Sequence, residues 1–144
     1  RQGDFDYRIL GTDISMRMLE RGLAAVYPEE RIAPVPEMLR KKYLFRSKDR
    51  EAKLVRIKPV LRKKVSFSRL NLMSPSFNLK EKFHIVFCRN VIIYFDRDNQ
   101  AKLLRKIYDY MMPVGYLLLG HSETLTGVNL PLYSVAPTIY RKPD

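Results

Sequence analysis

The sequence has one cysteine, Cys88, which excludes an internal disulfide and any cysteine-rich zinc site. Such sparing use fits a reducing compartment, and a cytoplasmic location is expected. The two histidines, His84 and His121, have no partner at metal-ligand spacing, so no metal is assigned. No run of about 18 apolar residues occurs, so no membrane insertion is predicted. The opening "RQGDFDYRIL" has neither an initiator methionine nor a signal-peptide pattern, and the chain is expected to begin inside a longer protein. Acidic residues are also scarce, with 15 Asp and Glu against 27 Lys and Arg, for a net charge of +12.

What is present belongs to a folded domain. The composition is 46% hydrophobic and 29% charged, and 144 residues suffice for one domain with a real core. The positive charge is concentrated. Between Arg40 and Lys64 stand twelve basic residues against two acids, Asp49 and Glu51, so this segment carries ten of the twelve net charges. A patch of this kind steers an anionic partner, whether nucleic acid, an anionic membrane surface or an acidic protein. The plainer reading is a solvated face without a partner.

Residues 7 to 12, "YRILGT", read as a buried strand with Asp13 at its carboxyl end. Met16, Leu19, Leu23 and Val26 recur at helical spacing, predicting an amphipathic helix that stops near Pro28. A second helix is expected to begin around Pro36. From Leu54 to Phe67 apolar and basic residues alternate about Pro59, predicting an antiparallel hairpin with one basic face, within an inserted β element at about 43–67. "FHIVFC" is a strand. Ala101, Leu104, Ile107 and Met111 mark a helix capped by Asp96 or Asp98, and "YLLLG" is another buried strand. "LYSV" and "TIYRK" form a terminal antiparallel pair around Pro137. The alternation of strand and helix implies an α/β fold with a mainly parallel sheet.

Ligands of open parallel sheets bind beyond the carboxyl ends of the strands. Asp13, the pair Arg89 and Asn90, and the run Gly120, His121, Ser122 and Glu123 each follow a predicted strand there. A carboxylate in the position of Asp13 suits a ribose diol, because it accepts both hydroxyl hydrogens. Each candidate also has a purely structural alternative. Asp13 can cap the helix from Met16; Arg89 can pair with Asp96 or Glu123; Asn90 can serve a turn. Cys88 reads as a small buried hydrophobe. Tyr94 is either a core aromatic or a functional group on the ligand edge.

The segments "ILGTDIS", "NLM", "FHIVFCRNVIIYFD", "GYLLLGHSETL" and "VAPTIYRK", in this order from about Arg8 to Lys142, closely resemble the CheR-type chemotaxis receptor methyltransferases. The resemblance implies a Rossmann-like fold that uses S-adenosylmethionine, with S-adenosylhomocysteine as product, to esterify glutamate side chains on the cytoplasmic regions of chemoreceptors. By the family's pattern Asp13 binds the cofactor ribose, Asn71 and Leu72 lie at the adenine end, and Arg89 and Asn90 line the cofactor and substrate pocket. Tyr94 stands near the transferred methyl group, which makes Arg89 and Tyr94 the catalytic candidates. The inserted β element corresponds to the family's receptor-docking subdomain.

The same resemblance implies that residues 1–144 are the C-terminal portion of the catalytic domain. The family's amino-terminal helical domain and the first strand with its cofactor loop are missing. That strand is expected to lie between the one ending at Asp13 and the one ending at Cys88, leaving a gap of about 9 to 10 Å, two strand spacings. The chain alone is therefore expected to bind cofactor poorly, to be inactive, and to self-associate through its exposed sheet edges. Two alternatives stand beside this reading. A nucleic-acid methyltransferase draws on the basic segment, but Asn90 is followed by Val-Ile-Ile-Tyr and not by the proline pair of amino-group base methylases, so no nucleic-acid partner is expected. The other is a non-catalytic binding module that keeps the fold.

Overall fold

The computed structural model describes residues 5–49, 51–125 and 127–144. The chain divides into two units, Arg1–Asn71 and Leu72–Asp144. The first contains β1 (Ile9–Asp13), α1 (Met16–Ala24), β2 (Val26–Pro28), a 3-10 turn at Glu29–Ile32, α2 (Glu37–Tyr43), β3 (Leu44–Arg46), β4 (Leu54–Ile57), the single helical turn α3 (Pro59–Arg62) and β5 (Val65–Arg69). The second contains β6 (Phe83–Cys88), a 3-10 turn at Ile92–Tyr94, α4 (Arg97–Asp109), β7 (Met111–Leu119), β8 (Tyr133–Ala136) and β9 (Ile139–Arg141).

In the first unit β1 runs parallel to β5, with Ile9 opposite Val65 and Asp13 opposite Arg69. Two glycines make room for this pairing. A Cβ added at Gly11 of β1 would stand 2.8 Å from the Phe67 ring, and one at Gly22 of α1 would stand 2.6 Å from it. The ring of Phe67 therefore packs where larger residues on β1 and α1 would clash. The apolar stripe of α1 is only partly used: Leu19 is buried, whereas Met16 and Leu23 are exposed. The helix also stops earlier than its periodicity predicts. Ala25 takes a left-handed conformation, φ 53°, and its N–H returns to the carbonyls of Arg21 and Gly22. That cap turns the chain out of the helix and releases Val26 into β2.

The other sheet of this unit is antiparallel, in the order β2-β4-β3, with Val55 of the central strand buried. This corrects the expected hairpin. Residues 54–57 and 65–67 do not pair with each other; Pro59 opens α3, and the chain beyond it joins β1 in parallel. Alternation identifies a strand and its faces, but it does not name the partner. Of the span expected for the insert, 43–67, the antiparallel sheet takes Leu44–Arg46 and Leu54–Ile57 and adds Val26–Pro28.

The second unit is built on a sheet ordered β6-β7-β9-β8, parallel between β6 and β7 and antiparallel thereafter. The parallel pair is interrupted near its start: Phe83 faces Met111 but Ile85 faces Tyr116, so Met112 to Gly115 bulge out of register. A side chain at Gly115 is excluded, since its Cβ would lie 2.8 Å from the Met112 carbonyl oxygen and 3.0 Å from that of His84. Asp96 starts α4 by accepting a hydrogen bond from the N–H of Asn99 at 2.9 Å. Leu103, Leu104 and Ile107 of α4 are buried, as are Cys88, Leu117 and Leu119 on one face of the sheet. On the opposite face Ile85 and Phe87 are exposed.

The mixed α/β class expected from the sequence is present; among the described residues its strands form three hydrogen-bonded sheets, where a mainly parallel sheet with a small antiparallel β element was expected. Among the described residues β1 pairs only with β5, and β6 only with β7. No helix among the described residues is long and apolar enough to cross a membrane.

Candidate active site

The parallel pair β6 and β7 ends with Cys88 opposite Leu119. Two adjacent strands thus release their chains side by side, one into Arg89 and Asn90, the other into Gly120 and the run to Glu123. Arg89 and Asn90 are exposed. They mark where the chain leaves the sheet and do not interrupt a buried strand.

The turn beyond β6 is held by one carboxylate. Glu123 is only 3% exposed. Its Oε2 accepts from the N–H of Gly120 at 2.6 Å and of Asn90 at 2.9 Å. Its Oε1 accepts from Val91 and Ile92, both at 2.8 Å, with Ile93 farther off at 3.4 Å. Burial acts to raise the Glu123 pKa, but the N–H groups of Gly120, Asn90, Val91 and Ile92 together outweigh it, and the carboxyl is held below its ordinary value. The carbonyls of the same turn are satisfied from α4, where Gln100 Nε2 donates to Ile92 at 3.1 Å and Phe95 at 2.9 Å. Asn90 itself sits in the left-handed region at φ 59°, a conformation that asparagine tolerates better than most residues.

With its backbone fixed from inside, this turn buries the Ile92 side chain and leaves those of Arg89, Asn90 and Tyr94 exposed. Tyr94, at the end of the 3-10 turn, is 79% exposed, so it is not a core aromatic. The structural alternatives for Arg89 are not realised. Asp96 accepts instead from the backbone and side-chain nitrogens of Asn99, and Glu123 from backbone N–H groups. Cys88 is buried, and burial, followed by the nearby charge of Glu123, pushes its thiol up to about 11. It is therefore a protonated core residue at neutral pH and no nucleophile.

The remaining candidates lie elsewhere along the chain. Asp13, half-buried at the end of β1, accepts the N–H of Ser15 on Oδ1 at 2.8 Å. This is a local turn ahead of α1 and not a cap, since the N-cap residue is Ser15 and no side chain caps the helix; Oδ2 takes no hydrogen bond among the described residues. Leu72 is half-buried, and its carbonyl receives Lys106 Nζ at 2.6 Å, with Ser74 O at 2.5 Å from the same nitrogen. Asn71 is exposed. A cavity of about 320 Å³ opens beside the pinned turn, lined by Ile92, Ile93, Arg97, Gln100, Ser122, Glu123, Thr124, Gly127 and Val128. Arg89, Asn90 and Tyr94 are not among its walls. Sequence reasoning named Glu123 only as part of a polar run or as a partner for Arg89. The signal that was available is a carboxylate three residues past the glycine that ends a buried strand.

The basic segment carries few internal ion pairs. Among the described residues Lys41 meets Glu37 at 2.7 Å, Arg46 meets Glu29 at 2.9 Å, and Lys64 pairs with Asp6. Among the described residues no group of three His, Cys, Asp or Glu side chains is placed to hold a metal ion.

The chain is similar to several known proteins. The chain is 41% identical over 139 residues to a chemotaxis protein methyltransferase of Borreliella burgdorferi, covering 96% of this chain and 48% of that protein. It is 33% identical over 140 residues to chemotaxis protein methyltransferase 2 of Pseudomonas aeruginosa, covering 96% and 50%. The chain thus spans about half the length of the curated relatives it matches. Among solved structures, a glycopeptide N-methyltransferase complexed with S-adenosylmethionine covers 94% of this chain and 44% of its own at 14% identity, with a TM-score of 0.48. The family profile described as "CheR methyltransferase, SAM binding domain" matches residues 1–140. By that match over nearly its whole length, the chain belongs to the S-adenosylmethionine-binding domain of the CheR methyltransferases.

Proposed function

We propose that this chain forms the C-terminal portion of a catalytic domain that methylates glutamate side chains on the cytoplasmic regions of chemoreceptors. The observation that supports it most is the exposed Arg89–Asn90 turn at the carboxyl end of β6, its backbone pinned and its side chains directed outward. S-adenosylmethionine, the cofactor of the family, supplies an electrophilic methyl group on sulfonium. The residues present suit it. Asp13 keeps one carboxylate oxygen for a ribose hydroxyl, Asn71 and Leu72 are assigned to the adenine end, and Arg89 and Asn90 to the cofactor and substrate wall with Tyr94 near the reacting carbon.

The chemistry asks little more of the protein. A glutamate carboxylate is ionised at neutral pH, with a reference pKa of about 4.3, so its oxygen attacks without a general base. With the cofactor bound, the O–CH3 bond would form as the S–CH3 bond broke, leaving the electron pair on sulfur and no proton for the protein to remove. Alignment and partial removal of water remain as the protein's tasks, and a cation and an amide suit both. The basic segment, with Arg40, Lys41 and Lys42 on α2, Arg46 on β3 and Arg56 on β4, is assigned to docking an acidic receptor region, by the long-range attraction such patches exert.

One observation favours a second reading, a binding module without catalysis: among the described residues β1 pairs only with β5 and β6 only with β7, so one edge of each of these strands is unpaired. Calorimetry separates the two. The full-length gene product is expected to bind S-adenosylhomocysteine in the micromolar range, and the isolated 144 residues at least about tenfold more weakly, a loss of about 1.4 kcal/mol. Equal micromolar binding by both would remove the proposed need for further sheet. No binding by the full-length product would favour the module.

A further inference from the structure

We infer that Glu123 is a positioning residue of the transfer site: its carboxylate fixes the turn that aims Arg89, Asn90 and Tyr94. The inference rests on the reading of those residues as the site, and it adds the group that sets their direction. Neither Arg89 nor Tyr94 has a side-chain hydrogen bond or ion pair among the described residues, so the direction of each is inherited from its backbone. That backbone is unusual. Asn90 is left-handed, and the N–H groups of Asn90, Val91 and Ile92 turn inward to a single acceptor. Buried N–H groups require acceptors, and among the described residues no backbone carbonyl supplies them here. The same carboxylate receives Gly120 at the end of the neighbouring strand, so both strand exits are tied to one side chain.

The geometry also specifies a carboxylate. Each oxygen takes at least two N–H groups, Oε2 from Gly120 and Asn90, Oε1 from Val91 and Ile92. A glutamine of the same shape keeps only one acceptor oxygen, and its NH2 group would confront N–H donors on the other side. Whichever way the amide faces, one strand exit or one stretch of the turn loses its acceptor. The lowered pKa of Glu123 agrees with this ring of donors.

The test is Glu123→Gln in the full-length gene product, with kinetics referred to the folded fraction. A displacement of the turn by about 1 Å is expected to lower kcat by roughly 100-fold. KM for the receptor fragment is expected to stay within about twofold, because docking is assigned to the basic segment. An unchanged kcat in folded protein overturns the inference. Amide hydrogen exchange in the wild-type protein provides a second arm that needs neither a folded variant nor activity. The N–H groups of Asn90, Val91 and Ile92 are expected to be protected although Asn90 lies in an exposed turn, and rapid exchange at all three overturns the inference. Absence of methyl transfer by the wild type would count against the proposed function, while protection of these amides would still uphold the hold that Glu123 exerts on the turn.

Discussion

Replacement of Arg89 by alanine is expected to lower methyl transfer by the full-length gene product at least about 100-fold, the scale seen when one preorganised charge-stabilising group is removed from a site. The fold should scarcely register the change. Arg89 is exposed and has no hydrogen bond or ion pair among the described residues, and the two carboxylates that sequence alone offered as its partners are occupied elsewhere. Exposed substitutions away from caps, strain and buried networks change stability by no more than about 0.5 kcal/mol. The expected outcome is thus a separation, with kcat/KM reduced and the urea midpoint almost unmoved. Loss of both together would place Arg89 in the structure, and retention of activity would remove it from the site.

Gly120→Ala should act in the opposite sense, through the structure first. A Cβ there would stand 2.7 Å from Glu123 Oε2, 3.0 Å from the Asn90 nitrogen and 3.2 Å from Asn90 Oδ1. None of these neighbours can yield easily. The carboxylate is buried and held by backbone N–H groups, and the Asn90 nitrogen is itself one of the donors bound to it. Insertion of one carbon into a closed contact of this kind costs about 1 to 3 kcal/mol. Urea unfolding should therefore show a lower midpoint at unchanged slope. Methyl transfer should fall in the same variant because the turn that carries Arg89 and Asn90 is pushed outward. A stability change within about 0.5 kcal/mol, the range for unremarkable surface sites, would show that Glu123 can move aside and that the turn is less tightly fixed than its distances indicate.

The parts of the fold that are legible in the sequence are those with a local cause. "FHIVFC" is a strand over Phe83–Cys88, Asp96 caps the helix over Arg97–Asp109, and the terminal antiparallel pair surrounds Pro137. Each follows from periodicity or from a residue beside the element it controls. What was not legible depends on partners far along the chain. Val65–Arg69 alternates as a hairpin strand would, yet it pairs in parallel with β1, where Gly11 and Gly22 leave space for Phe67. Val26 continues a helical stripe, yet the left-handed Ala25 removes it to an antiparallel sheet.

The site divides in the same way. Arg89, Asn90 and Tyr94 are candidates in the sequence because polar residues and an aromatic follow an apolar strand, and their exposed positions beyond β6 follow from that local pattern. Glu123 is not, because its task lies in backbone donors some thirty positions earlier, and no side-chain pattern reports which N–H groups a turn will orphan. Its role emerges only when the two strand exits stand side by side.

The most direct measurement is to incubate the full-length gene product with S-adenosylmethionine and the cytoplasmic region of a chemoreceptor, then to locate the added methyl groups by peptide mass spectrometry. The prediction is methyl groups on glutamate side chains, as esters that mild base releases, and their absence when Arg89 is replaced by alanine. Methyl groups on lysine or on nucleic acid, stable to mild base, would contradict it.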